Sequence, residues 1–174
     1  MDKKIIFLVI FVFVIGWLSH GLHEDIASAL PAHNLYSDKV TGSFAGAQHV
    51  VDGKAMPADR VSQEEIHVKN EKVILDIKNP KWSRFTDTKS MEPVLGKGAY
   101  GIHIVPKEPS DIDVGDIVAY RSDYADGTII HRVIEKSKDD EGVYYVLKGD
   151  NNPSRDPGKV RFEQVERVLV AIVY

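Results

Sequence analysis

From Ile66 onward the chain is a succession of short runs rich in Val, Ile and Tyr, each stopped by a cluster of Gly, Pro, Asn or Asp. Ile66–Val68 and Val73–Ile77 flank Lys69-Asn70-Glu71-Lys72, the spacing of a hairpin. Further runs are Tyr100–Val105, Asp116–Arg121, Thr128–Glu135, Val143–Lys148 and Val168–Tyr174. Strand-length runs punctuated in this way predict a mainly β domain with mostly antiparallel pairing. Val168–Tyr174 is far too short to cross a bilayer and is expected to be a central strand. Ser62-Gln63-Glu64-Glu65 fits a capping box for a single helical turn.

The N-terminus is different in kind. Ile5–Leu18 is 14 residues without a charge, preceded by Lys3 and Lys4. As a helix it would be about 21 Å long, against about 30 Å of hydrocarbon. Extension through Leu22 makes it a marginal span. Ala27-Ser28-Ala29 has the small-x-small pattern of a cleavage site, but Glu24 and Asp25 separate it from the apolar run, which favours a retained anchor over a removed signal. Lysines ahead of an apolar run stay inside. The expectation is a single-pass protein of the cell membrane, held in the bilayer through residues 5–22, with the rest on the extracytoplasmic side. Residues 23–60 lack a helical or strand period and read as a spacer. The expected organisation is an anchor over 1–22, a tether over 23–60 and a β domain over 61–174.

The chain has no cysteine, which removes disulfides, thiolate metal sites and a cysteine nucleophile together. Its net charge of −4, with no long basic block, gives no support to a nucleic-acid partner. No metal or organic cofactor is expected.

Three stretches carry residues of chemical interest. Ser90 lies in Thr86-Asp87-Thr88-Lys89-Ser90-Met91-Glu92-Pro93, where the fixed φ of Pro93 favours a turn. His131 lies in Ile129-Ile130-His131-Arg132-Val133-Ile134, on one strand face with Ile129 and Val133. Asp150 and Asp156 lie in Lys148-Gly149-Asp150-Asn151-Asn152-Pro153-Ser154-Arg155-Asp156-Pro157. Singly, each has an ordinary reading as a turn hydroxyl, a core histidine or a loop-capping carboxylate. Together they are the three types a serine hydrolase needs: a nucleophile, a base and a carboxylate that orients it. Spacing alone does not bring them together.

Ser90-Met91-Glu92-Pro93, Gly115-Asp116-Ile117-Val118, Ile130-His131-Arg132-Val133 and Lys148-Gly149-Asp150-Asn151-Asn152 with Asp156 resemble, in this order, the boxes of type I signal peptidases. That family shares its β fold with self-cleaving repressors. Its bacterial members carry lysine as the base, whereas archaeal and endoplasmic-reticulum members carry histidine, so this chain resembles the latter. The resemblance covers residues 82–174 and implies a signal-peptidase-like antiparallel β domain behind an N-terminal membrane helix. It implies a serine endopeptidase that removes signal peptides from exported proteins, cutting after small residues. Ser90 then matches the nucleophile, His131 the general base and Asp156 the third catalytic residue. Asp150 and Thr88 match supporting positions, Thr88 as a donor to the oxyanion. Met91 and Trp82 are candidates for an apolar substrate surface. Signal-bearing precursors are the implied partners, with translocon association a further expectation. Lys89 stands where many members have glycine, and on a strand it would face away from the partners of Ser90. The alternatives are a regulatory peptidase of the same fold and a non-catalytic exported β module.

Overall fold

The computed structural model describes residues 50–51 and 53–174. The expected membrane helix and most of the expected tether lie outside these. Among the described residues no helix is long and apolar enough to cross a membrane. Residues 53–67 and 73–174 belong to one compact unit, which holds the large sheet and the candidate site; residues 68–72 belong to another.

A seven-stranded antiparallel sheet dominates. Its strands are β5 (Lys81–Arg84), β6 (Tyr100–Ile104), β7 (Ile117–Ser122), β8 (Ala125–Asp139), β9 (Gly142–Lys148), β10 (Val160–Arg161) and β11 (Val165–Val173), in the order β10-β9-β8-β7-β11-β6-β5. The last strand is therefore interior, hydrogen-bonded to β7 on one side and β6 on the other. Two small sheets are separate: β1 (Val50–Val51) with β2 (Lys54–Ala55), and β3 (Ile66–Lys69) with β4 (Lys72–Leu75). Asn70 and Glu71 close the second at φ of 48° and 63°, the left-handed pair that a two-residue hairpin turn demands. The Ser62–Glu65 capping box encloses one 3₁₀ turn.

Alternation along the strands sorts the core into two layers. Val118, Tyr120, Val133, Leu147 and Val168 pack into one cluster. Ile117, Leu169, Met91 and Leu95 pack into another. The segment through Ser90, a chain of turns from Ser90 to Gly98, thus docks on the sheet through Met91 and Leu95 rather than through regular structure.

Residues 53–60 are not detached from this domain. The Lys54 ammonium donates to the Asp150 carbonyl oxygen at 2.9 Å, and Arg60 pairs with the fully buried Asp116. Asp116 also accepts from the amides of Ala58 (3.1 Å) and Asp113 (2.8 Å), so its carboxylate is satisfied on several sides. A buried charge needs such compensation.

Candidate active site

His131 stands on β8 opposite Val118 of β7 and is 7% exposed. Its Nδ1 is 2.6 Å from Oδ2 of Asp156. A carboxylate oxygen accepts, so Nδ1 carries a proton, and in the neutral ring Nε2 is the nitrogen with the lone pair. Asp156 reaches this position because its loop doubles back: its amide donates to the Leu147 carbonyl oxygen at 2.8 Å, at the end of the strand the loop has just left. The Tyr120 hydroxyl donates to the same Oδ2 at 2.8 Å. Burial, followed by its bond to Asp156, pushes the Tyr120 phenol far above its ordinary pKa, so it remains a donor.

Asp150, six residues earlier, has a different partner. Nε and Nη2 of Arg132 donate to its two oxygens at 2.8 and 2.7 Å, a bidentate pair buried at both ends. Nη1 of Arg132 donates to the Gly115 carbonyl oxygen at 2.7 Å. The ion pair thus fixes the root of the loop directly beside the strand position that carries His131.

Ser90 is held by that loop. The amide of Asn151 donates to the Ser90 carbonyl oxygen at 2.9 Å, and the Asn151 side chain donates to that of Lys89 at 3.1 Å. Gly149 permits the approach: a Cβ there would lie 2.6 Å from the Ser90 carbonyl oxygen. Thr88 Oγ1 is 3.3 Å from Ser90 Oγ. Lys89 is not on a strand. It adopts φ of 60°, so the expectation that strand alternation would turn it away from Ser90 does not apply; a left-handed bend sets its direction.

Ser90 and His131 line one cavity of about 470 Å³, with Thr88, Met91, Ser83 and His103 also on its wall. No hydrogen bond joins Ser90 to His131. Of the two candidates for an apolar substrate surface, Met91 is buried on this wall, whereas Trp82 is 71% exposed on the opposite side of β5 from Ser83. The arrangement offers a hydroxyl, an imidazole with a carboxylate behind it, and a second hydroxyl beside the first. Those are the groups an acyl-transfer site requires.

Sequence reasoning assigns no role to Tyr120, Arg132, Asn151 or Gly149. Arg132 carries a usable signal, being a charge beside His131 in the β8 run Ile129–Ile134 whose other members are all Ile or Val, which implies a buried partner. Tyr120 carries none, since a tyrosine in a strand is ordinary.

No protein-family model and no solved structure matches the chain. Curated relatives do. The chain is 30% identical over 88 residues to the signal peptidase complex catalytic subunit SEC11 of Yarrowia lipolytica, covering 48% of this chain and 50% of that protein. It is 32% identical over 79 residues to signal peptidase I W of Bacillus subtilis, covering 44% and 40%. It is 39% identical over 44 residues to an uncharacterized protein of Methanocaldococcus jannaschii, covering 25% and 22%. The chain therefore spans half or less of the length of these relatives. Over nearly half of its own length it is a distant relative of signal peptidases, with a mainly β, antiparallel domain.

Proposed function

We propose that the protein is a membrane-anchored serine endopeptidase that removes N-terminal signal peptides from exported proteins, cutting after small residues. The observation that carries this reading is that His131, bonded through Nδ1 to Asp156, lines the same cavity as Ser90. In the proposed reaction His131 Nε2 takes the Ser90 proton as Oγ attacks the scissile carbonyl carbon. The resulting imidazolium is stabilised by Asp156 and returns the proton to the departing amine. The Ser90 amide and the Thr88 hydroxyl face the developing oxyanion. Water then repeats the sequence on the acyl-enzyme. Tyr120 holds Asp156 from behind, which fixes the imidazole tautomer. A histidine base accords with the archaeal and endoplasmic-reticulum type. Residues 5–22 would hold the enzyme at the bilayer surface, close to the apolar segments of its substrates and to the translocon, which raises their effective concentration.

The test is cleavage of a signal-bearing precursor by the full chain and its Ser90→Ala variant, with fluorophosphonate labelling in parallel. Loss of both cleavage and labelling on substitution is expected. Cleavage at near wild-type rate by Ser90→Ala would sink the proposal.

A further inference from the structure

Two histidines line the cavity, and their surroundings are opposite. His131 has a carboxylate on Nδ1. His103 on β6 is 1% exposed; its Nε2 lies 2.8 Å from Ser83 Oγ, and its Nδ1 is buried with no partner. Burial, reinforced by the nearby Arg167 guanidinium, pushes its pKa down to about 4. An imidazole so weakly basic is neutral near neutral pH and is a poor acceptor of a serine proton. Ser83 and His103 are therefore not a second nucleophile–base couple.

One ring nitrogen of a neutral imidazole carries a proton. On Nδ1 it would be a buried N–H without an acceptor, the rarest and costliest kind of orphan. The proton accordingly sits on Nε2 and is donated to Ser83 Oγ. That leaves the Ser83 hydroxyl proton without a partner in the protein, on a half-buried side chain at the cavity wall. Gly101 leaves the imidazole room, since a Cβ there would lie 2.7 Å from Nε2 and 2.6 Å from the Phe85 ring, and that ring meets the imidazole edge-on at 6.3 Å. Ser83 itself is on β5, the edge strand of the sheet, beside which an extended chain can lie with its carbonyls at regular intervals.

We propose that Ser83 and His103 form a peptide-docking pair, in which Ser83, oriented by His103, donates its hydroxyl proton to a carbonyl oxygen of the extended substrate whose scissile bond reaches Ser90. This rests on the reading of Ser90 as nucleophile. His103 is a positioning residue, and the pair reads substrate main chain rather than performing chemistry. Its ligand is any extended peptide that brings a carbonyl acceptor to the β5 side of the cavity.

The experiment uses the full chain and an internally quenched decapeptide with alanine at the first and third positions before the scissile bond. Ser83→Ala should raise KM about 2- to 10-fold, the scale of one neutral hydrogen bond, with the loss absent from kcat. Ser83→Thr, which keeps the hydroxyl, should restore KM. Labelling of Ser90 by a small fluorophosphonate that lacks a peptide arm should persist in both. An unchanged KM in Ser83→Ala, a loss that falls on kcat alone, or a failure of threonine to restore binding would each overturn the inference. Ser90→Ala keeps the two readings apart. If that variant still cuts the decapeptide, the peptidase assignment fails. If it is inert while Ser83→Ala binds as wild type, only the docking pair fails.

Discussion

Arg132 and Asp150 face one another as a bidentate ion pair with side chains only 7% and 2% exposed. Breaking such a pair leaves the surviving charge buried and uncompensated, at a cost of about 3–5 kcal/mol. Asp150→Leu should therefore lower the unfolding free energy by about that amount in urea melts. The double variant Arg132→Met/Asp150→Leu should lose distinctly less, because no orphaned charge remains. Equal losses for the single and double variants would show that the pair acts through loop packing and not through charge.

Asp156 should behave in the opposite way. Its substitution by asparagine keeps the shape and can present an amide donor to Nδ1, fixing the wrong imidazole tautomer. The corresponding change in a serine protease of the trypsin type lowers kcat by about 10⁴. Asp156→Asn is expected to lose activity on that order while its urea midpoint moves little, since the Tyr120 hydroxyl, which meets the same atom of residue 156 as Nδ1 does, can turn to accept from the new amide. A variant that retains a tenth or more of wild-type kcat would remove Asp156 from the triad.

Acid should destabilise the fold through His103. Its pKa is about 4 in the folded protein against 6.5 for the free side chain, so the unfolded chain binds the proton more tightly. The stabilisation is complete above pH 6.5, declines as the pH falls, and is spent near pH 4, a total of roughly 3 kcal/mol. Unfolding free energies of the wild type and His103→Gln, measured at pH 7.5 and 4.5, should differ less in the variant. Parallel pH dependences would exclude this residue as the source.

Gly149 carries a steric prediction. A methyl group there would meet the Ser90 carbonyl oxygen at 2.6 Å and the Asn152 side chain at 2.6 Å; the side chain can turn aside, but the backbone oxygen cannot retreat without moving the segment that holds the hydroxyl. Displacement of about 1 Å in a catalytic group can cost on the order of 100-fold. Gly149→Ala should lower kcat/KM by at least tenfold, and activity at the wild-type level would show that the loop relaxes freely.

Lys89 makes the contrasting case. A left-handed φ of 60° costs a lysine about 1–2 kcal/mol that glycine does not incur. The greater freedom of glycine in the unfolded chain offsets part of that gain. A net stabilisation of about 0.5–1 kcal/mol is expected for Lys89→Gly, read as a rise in thermal midpoint; a fall would mean that the lysine side chain contributes contacts of its own.

The interior strands were legible because their alternation is written in consecutive residues. β6, β7, β9 and β11 begin and end within three residues of the runs read from sequence. β5 was not legible. Lys81-Trp82-Ser83-Arg84 is an edge strand whose one apolar residue, Trp82, is exposed, and it lacks the apolar period that marks a central one. β8 begins at Ala125, ahead of the Asp126-Gly127 pair that reads as a turn, because Gly127 takes φ of 85° within the strand. Residues 53–60 read as spacer from composition, yet Arg60 is tied to an aspartate 56 positions away. Such long-range pairing leaves no local trace. The same holds for Arg132 with Asp150 and for Ser83 with His103, where the chemistry is visible in the residue types and the partnership only in three dimensions.

The interior place of β11 has a temporal consequence. Within the large sheet, β5 and β6 connect to β7–β10 only through β11, the last of these strands to be synthesised. Until Val165–Val173 has emerged, the strand bearing Ser83 and the strand bearing His131 belong to two unsealed fragments. A chain threading outward from its point of synthesis would thus carry its chemical groups in a disconnected state, and the cleft would be assembled in one closing step.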